Sequence, residues 1–177
     1  MDNVNHTLPL RMGQGYDIHR LVPVGEKTEA ESVLTLGGIK IADSPYAVVA
    51  HSDGDVLLHA LMDALLGALA LGDIGEHFPP SNPAYQHANS TDLLTHVMGL
   101  LEQKHARVVQ MDSTIVLEIP KLGGHKLAIR QSLASLLNLS LDCISVKAKT
   151  AEGLGALGHS EAVAASVSVL VHMQPIQ

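Results

Sequence analysis

The stretch from Asp53 to Leu71, DGDVLLHALMDALLGALAL, constrains the chain more than any other. Val56, Leu57, Leu58, Leu61, Met62, Leu65, Leu66 and Leu69 leave no polar face on a helix here. A helix that is apolar all round has to be buried. This one is too short, and too acidic at its start, to cross a membrane. The polar turn His51-Ser52-Asp53-Gly54 opens it, with Ser52 or Asp53 as N-cap. Gly72-Asp73-Ile74-Gly75 closes it.

Asp55, His59 and Asp63 interrupt the apolar body at four-residue spacing, which places them on one stripe. Buried carboxylates and imidazoles are paired, hydrogen-bonded or bound to metal. His59 is therefore either a satisfied core histidine between two carboxylates or a ligand. Asp63 suits a supporting role that orients His59, and Asp53 reads as a helix N-terminal charge.

Arg11 to Ile18 reads as a strand, and on extended chain Asp17 and His19 face the same way. Such a D-x-H pair offers two metal donors, although pairs of this kind also arise by chance. Gly13 and Gly15 are not a dinucleotide fingerprint, since no third glycine follows and no helix opens there. Residues 20–32 read as loop, VLTLGGIKI as a hairpin about Gly37-Gly38, and 42–50 as a connector. Pro, Asn and Ser make 79–90 a loop. Ser90 is the expected N-cap of a helix over 91–106. A strand over 107–119 stops at Pro120. A helix over 124–138, a strand over 144–150, a glycine-rich loop over 152–160 and an alternating strand over 161–172 follow. This order predicts an α+β two-layer domain, a small mixed β-sheet with helices on one face.

With 177 residues the chain suits one domain, 11–177, after a loose tail over 1–10. Three Tyr and one Phe mean that Leu, Val, Ile and Ala must build the core. A net charge of −7 without a basic run argues against a nucleic-acid surface. The single Cys143 allows no internal disulfide and fits a reducing compartment. Without an export signal or an apolar span, a cytoplasmic location is expected and no membrane partner.

One carboxylate and two imidazoles, Asp17, His19 and His59, with a fourth position open, are the donor set of a catalytic zinc site. His51 and Ser52 at a helix N-terminus suit an anion. Lys149, Thr150 and Glu152 adjoin the glycine loop. Together these groups suggest a polyphosphate substrate.

Four blocks, GYDIHR (15–20), AHSDGDVLLH (50–59), DALLGA with LGDIG (63–75) and KAKTAE (147–152), resemble the 2-C-methyl-D-erythritol 2,4-cyclodiphosphate synthase family. The resemblance runs from about Met12 to Val171. It implies a homotrimer with active sites between subunits. The implied reaction cyclises 4-diphosphocytidyl-2-C-methyl-D-erythritol 2-phosphate with loss of CMP, in non-mevalonate isoprenoid biosynthesis. It implies that Asp17, His19 and His59 bind Zn²⁺ and that His51 and Ser52 hold phosphate. Asp73, Ile74 and Gly75 would contact the methylerythritol hydroxyls under a loop of Phe78, Pro79, Pro80, Ser81 and Asn82. Leu117 to Gly123, around Pro120 and Lys121, would present backbone to cytosine. Lys149, Thr150, Ala151 and Glu152 would meet the diphosphate, Glu152 also serving Mg²⁺ or Mn²⁺. His51 and Thr150 would be the catalytic pair.

In such a reaction the nucleophile is the substrate's own 2-phosphate, whose second pKa of about 6 leaves it largely dianionic at neutral pH. No protein base is required. Three positions depart from the family pattern. Pro80 stands where the loop carries a carboxylate. Ala156 and His159 replace an aromatic and an arginine that line the cavity on the trimer axis. Two other readings stay open: a zinc phosphoesterase that uses water, and a non-catalytic trimeric module binding metal or isoprenoid phosphate. The remaining histidines, 77, 87, 96, 105, 125 and 172, read as solvated or peripheral.

Overall fold

The computed structural model describes residues 9–25, 31–79, 81–82, 85 and 88–175. The tail expected over 1–10 lies mostly outside them, as do Pro80 and His87. Among the described residues eight strands are formed: β1 (Leu10–Pro23), β2 (Glu31–Val33), β3 (Thr35–Leu36), β4 (Ile39–Lys40), β5 (Tyr46–Val49), β6 (Ala106–Val116), β7 (Ile144–Lys149) and β8 (Ala162–Met173). The helices are α1 (Val56–Ala68), α2 (Ile74–His77), α3 (Ser90–Gln103), α4 (Lys126–Leu136) and α5 (Gly155–Gly158). Six strands make one sheet in the order β2-β5-β1-β8-β6-β7, antiparallel except for β6 beside β7. The two-stranded β3-β4 hairpin turns at Gly37-Gly38, as the sequence predicts. The α+β expectation holds.

β1 alternates cleanly. Gly13, Gly15, Asp17 and His19 turn toward α1, and Met12, Tyr16 and Ile18 turn away. The two glycines let the helix lie almost on the strand. A Cβ on Gly13 would stand 1.8 Å from the carbonyl oxygen of Ala64, a separation no side chain can occupy. On its far side α1 packs against α3. Leu57, Leu58, Leu61, Leu65 and Leu66 are all fully buried, each worth about 1.5–3 kcal/mol relative to exposure. No described helix is long and apolar enough to cross a membrane.

The helix starts later than the sequence suggests. Asp55 is its N-cap, not Ser52 or Asp53, and accepts from the N–H groups of Leu57 (3.1 Å) and Leu58 (3.0 Å). The same carboxylate accepts from Gly37 N–H (2.9 Å) and Gly38 N–H (2.6 Å), so the helix end and the hairpin share one anchor. Asp55 therefore precedes the helix instead of sharing a stripe with His59. The far end turns back through Ala70 at φ 54°, where Leu71 N–H meets Leu66 C=O.

Other boundaries move for similar local reasons. β1 continues to Pro23, and the connector over 42–50 contains β5, which zips onto both β1 and β2. Asn89, not Ser90, caps α3, with its side-chain oxygen on Thr91 N–H at 2.9 Å. Short helices form where turns were expected, at 74–77 and 155–158.

Candidate metal centre and its cavity

Asp17 and His19 project from β1, and α1 lowers His59 onto them. Oδ2 of Asp17 lies 3.0 Å from Nδ1 of His59 and 3.1 Å from Nε2 of His19. The two ring nitrogens are 3.0 Å apart. Three donors around a zinc ion at the usual bond lengths stand about 3.3 Å from one another. The observed triangle is slightly tighter than that and fits the ion. Among the described residues this is the one group of three such side chains close enough to share a metal.

Burial raises the Asp17 carboxyl, but hydrogen bonds from His19 and His59 outweigh it and hold the group well below the ordinary carboxylate range. Burial pulls His59 down, and the Asp17 carboxylate more than reverses this, leaving the imidazole above its usual value. Without metal, the Asp17 carboxylate thus favours a proton on His59. A bound cation would take the place of that proton.

Beyond Nδ1, the His59 ring is held at its other end. Nε2 lies 3.1 Å from Oγ of Ser90 and 3.2 Å from Oγ of Ser52. Asp63 does not orient His59. It accepts the N–H of Ile74 at 2.9 Å and so fixes the start of α2. Burial raises the Asp63 carboxyl against that hydrogen bond.

A cavity of about 220 Å³ opens at the centre. His19, His51, Ser52, His59, Ile74, Gly75 and Phe78 line it, joined by Met62, Tyr85 and Leu93. Seven expected site residues thus meet in one place. Asp73 caps α2 through Glu76 N–H at 3.0 Å. Tyr85 was not foreseen. It meets the Phe78 ring edge-on at 5.3 Å, as does His96 at 5.4 Å, so an aromatic wall closes one side. Of the histidines read as peripheral, His77 contacts the Leu71 carbonyl oxygen at 2.8 Å and His125 contacts Asp43 at 3.0 Å.

The remaining expected residues gather elsewhere. Glu118 accepts the Ala151 N–H at 3.2 Å, and Leu117 N–H meets Lys149 C=O at 3.0 Å. Lys121 pairs with Glu118 at 3.4 Å. The Thr150 hydroxyl donates to Glu152 at 2.6 Å, and Glu152 holds φ 53°, a left-handed conformation costing about 1–2 kcal/mol. This cluster lies at the end of β7, and three strand-to-strand steps separate β7 from β1. At about 4.8 Å per step, Lys149 is roughly 14 Å from His19. The pairing of Lys149 with Val116, and of Val116 with Ala164, also puts Lys149 on the face away from α1. Ala156 lines a second hollow with Arg20 and Glu161, which His19 borders as well, and His159 is exposed.

The YgbB family model matches residues 10–172, nearly the whole chain. The chain belongs to the YgbB family. The 2-C-methyl-D-erythritol 2,4-cyclodiphosphate synthase of Xanthomonas oryzae pv. oryzae is 50% identical over 161 residues, 91% of this chain and 94% of that protein. Among solved structures, the YgbB chain superposes on the IspF of Plasmodium falciparum in its CDP complex with a TM-score of 0.80. Identity there is 34%, covering 94% of this chain and 97% of that one. A CDP-bound 2C-methyl-D-erythritol-2,4-cyclodiphosphate synthase matches with a TM-score of 0.81 at 40% identity, covering 91% and 99%. Within the YgbB fold, the Asp17, His19 and His59 triad sits where β1 and α1 touch.

Proposed function

We propose that this protein cyclises 4-diphosphocytidyl-2-C-methyl-D-erythritol 2-phosphate to 2-C-methyl-D-erythritol 2,4-cyclodiphosphate and releases CMP. The observation that carries the reading is a cluster of three side chains able to hold a metal, at the mouth of a cavity, in a chain half identical to a synthase of that name.

Asp17, His19 and His59 would hold Zn²⁺, which supplies Lewis-acid polarisation of a phosphoryl oxygen when bound. His51 and Ser52 lie at the same mouth and offer donors to phosphate oxygens. Ile74, Gly75 and Phe78 enclose the methylerythritol carbons, with Asp73 at their edge to accept hydroxyl protons. Phe78, Pro79, Ser81 and Asn82 form the described part of the covering loop. Leu117, Pro120 and Lys121 present backbone to the cytosine. Lys149, Thr150 and Ala151 meet the diphosphate, and Glu152 shares Mg²⁺ or Mn²⁺ with it, as a single carboxylate commonly does. The reaction needs the substrate folded back on itself, with charge neutralised at the attacked phosphorus.

Triad and diphosphate cluster are roughly 14 Å apart on opposite faces of one sheet. That separation supports a site completed by a neighbouring copy of the chain. The face away from α1 supports such assembly, because Met12, Tyr16 and Ile18 are 74%, 53% and 46% exposed there. We assign a homotrimer.

Phosphorus NMR of the purified protein with the cytidyl substrate, zinc and magnesium tests the reaction. Cyclic diphosphate and CMP are expected. An opened monophosphate would indicate a phosphoesterase, and an unaltered substrate a binding module.

A further inference from the structure

Ser90 is fully buried, and because Asn89 caps α3 its hydroxyl has no capping duty. Its Oγ contacts Oδ1 of Asp53 on one side and lies 3.1 Å from Nε2 of His59 on the other. Asp53 also accepts Ser90 N–H on Oδ2 at 2.9 Å and Asp55 N–H on Oδ1 at 3.3 Å. A carboxylate only accepts, so the single hydroxyl proton of Ser90 goes to Asp53. Lone pairs are all that Ser90 then presents to His59, and their contact forms only with Nε2–H as the donor. Ser52 Oγ, beside the same nitrogen, accepts Gly54 N–H at 3.2 Å. A neutral ring protonated on Nε2 has a bare Nδ1, the atom aimed at Asp17 and His19.

We propose that Asp53 and Ser90 are positioning residues of the metal centre: Asp53 takes the Ser90 proton, Ser90 takes the His59 Nε2 proton, and the ring is locked with Nδ1 toward the ion. The inference rests on the reading of Asp17, His19 and His59 as ligands. It extends that reading to a relay spanning the turn before α1 and the first residue of α3. Supporting partners of this kind orient a ligand ring and raise its basicity, and their loss typically costs about 10–100-fold in metal affinity.

The test uses full-length protein with nitrogen-15 histidine, in metal-free and zinc-loaded forms, and a competing chelator for affinity. In the zinc-loaded form, where Nδ1 faces the ion, His59 Nε2 is expected to carry the ring's one proton. Its ring N–H in the zinc-loaded protein should exchange slowly with water. Ser90→Ala should weaken zinc binding about 10–100-fold and speed that exchange. Asp53→Asn keeps every heavy atom in place but turns an acceptor into a donor, so it should do the same. A merely structural link between turn and helix would lower thermal stability and leave the ring proton where it is. A bare Nε2 in the zinc-loaded wild type overturns the proposal. So do folded Ser90→Ala and Asp53→Asn variants with unchanged affinity and exchange. A wild type that binds no zinc sinks the ligand reading instead, and the effect of Ser90→Ala on exchange of the His59 Nε2 proton in the metal-free form then decides the relay alone.

Discussion

A Cβ on Gly15 would stand 2.0 Å from the carbonyl oxygen of Ala60, the residue after His59. Strand and ligand-bearing helix touch through bare backbone at this point. Gly15→Ala must push α1 away from β1, and overpacking of that kind costs about 1–3 kcal/mol or more. Because the displaced turn carries His59, zinc stoichiometry should fall along with the melting temperature. Metal analysis and calorimetry on one preparation check this, and a destabilised variant with full zinc would uncouple packing from the site.

Asp55 anchors four backbone N–H groups from two elements. Asp55→Ala removes the cap, worth about 0.5–2 kcal/mol, and strands buried donors at about 1–3 kcal/mol each. A total loss of about 3–5 kcal/mol is expected in urea unfolding. A loss under 1 kcal/mol would show that water replaces the carboxylate.

Metal-free and zinc-loaded protein should respond oppositely to pH. Burial pushes Asp55 up to about 6, so it is half charged there and adds to the loss of stability only up to about pH 7. His59 lies above its ordinary value of 6.5 when folded. Its contribution to the metal-free protein is fully present below 6.5 and is lost as pH rises through the folded value. Metal needs the neutral ring, so zinc binding strengthens over the same rise. Melting temperatures between pH 6 and 8 should fall without zinc, and the zinc-induced increment should grow. Parallel curves would refute the assignment of His59.

The proposed sharing of active sites between subunits predicts complementation. His59→Ala removes one half of a site and Glu152→Gln the other. Each variant alone should be inactive, while mixed and reassembled subunits leave roughly one interface in four intact. Recovery of about a quarter of wild-type turnover is expected. No recovery after verified subunit exchange would place both halves in one chain.

What the sequence shows and what it hides follow from range. The helix around His59, the D-x-H arm and the alternation of 161–172 repeat a period over many residues and were all legible. β5 has four residues, too few to carry a period, and α2 and α5 are as short. The true start of α1 depends on a carboxylate shared with a hairpin 17 and 18 positions upstream. Ser90 looks like an ordinary cap because its partner ring is 31 residues away. The aromatic scarcity held a usable signal: of four such side chains, Phe78 and Tyr85 meet at one cavity.

β1 and β8 lie side by side in the middle of the sheet, with Leu10 opposite His172 and Arg20 opposite Ala162. On the ribosome β1 emerges early and has to wait for nearly everything else. Pairing at such separation is slow, and an unpaired strand edge is exposed to wrong partners meanwhile. Asp17 and His19 lack their β8 neighbours, Ala165 and Val163, until the end of the chain arrives. A nonsense codon late in the message, beyond every residue assigned to chemistry, would still erase the centre.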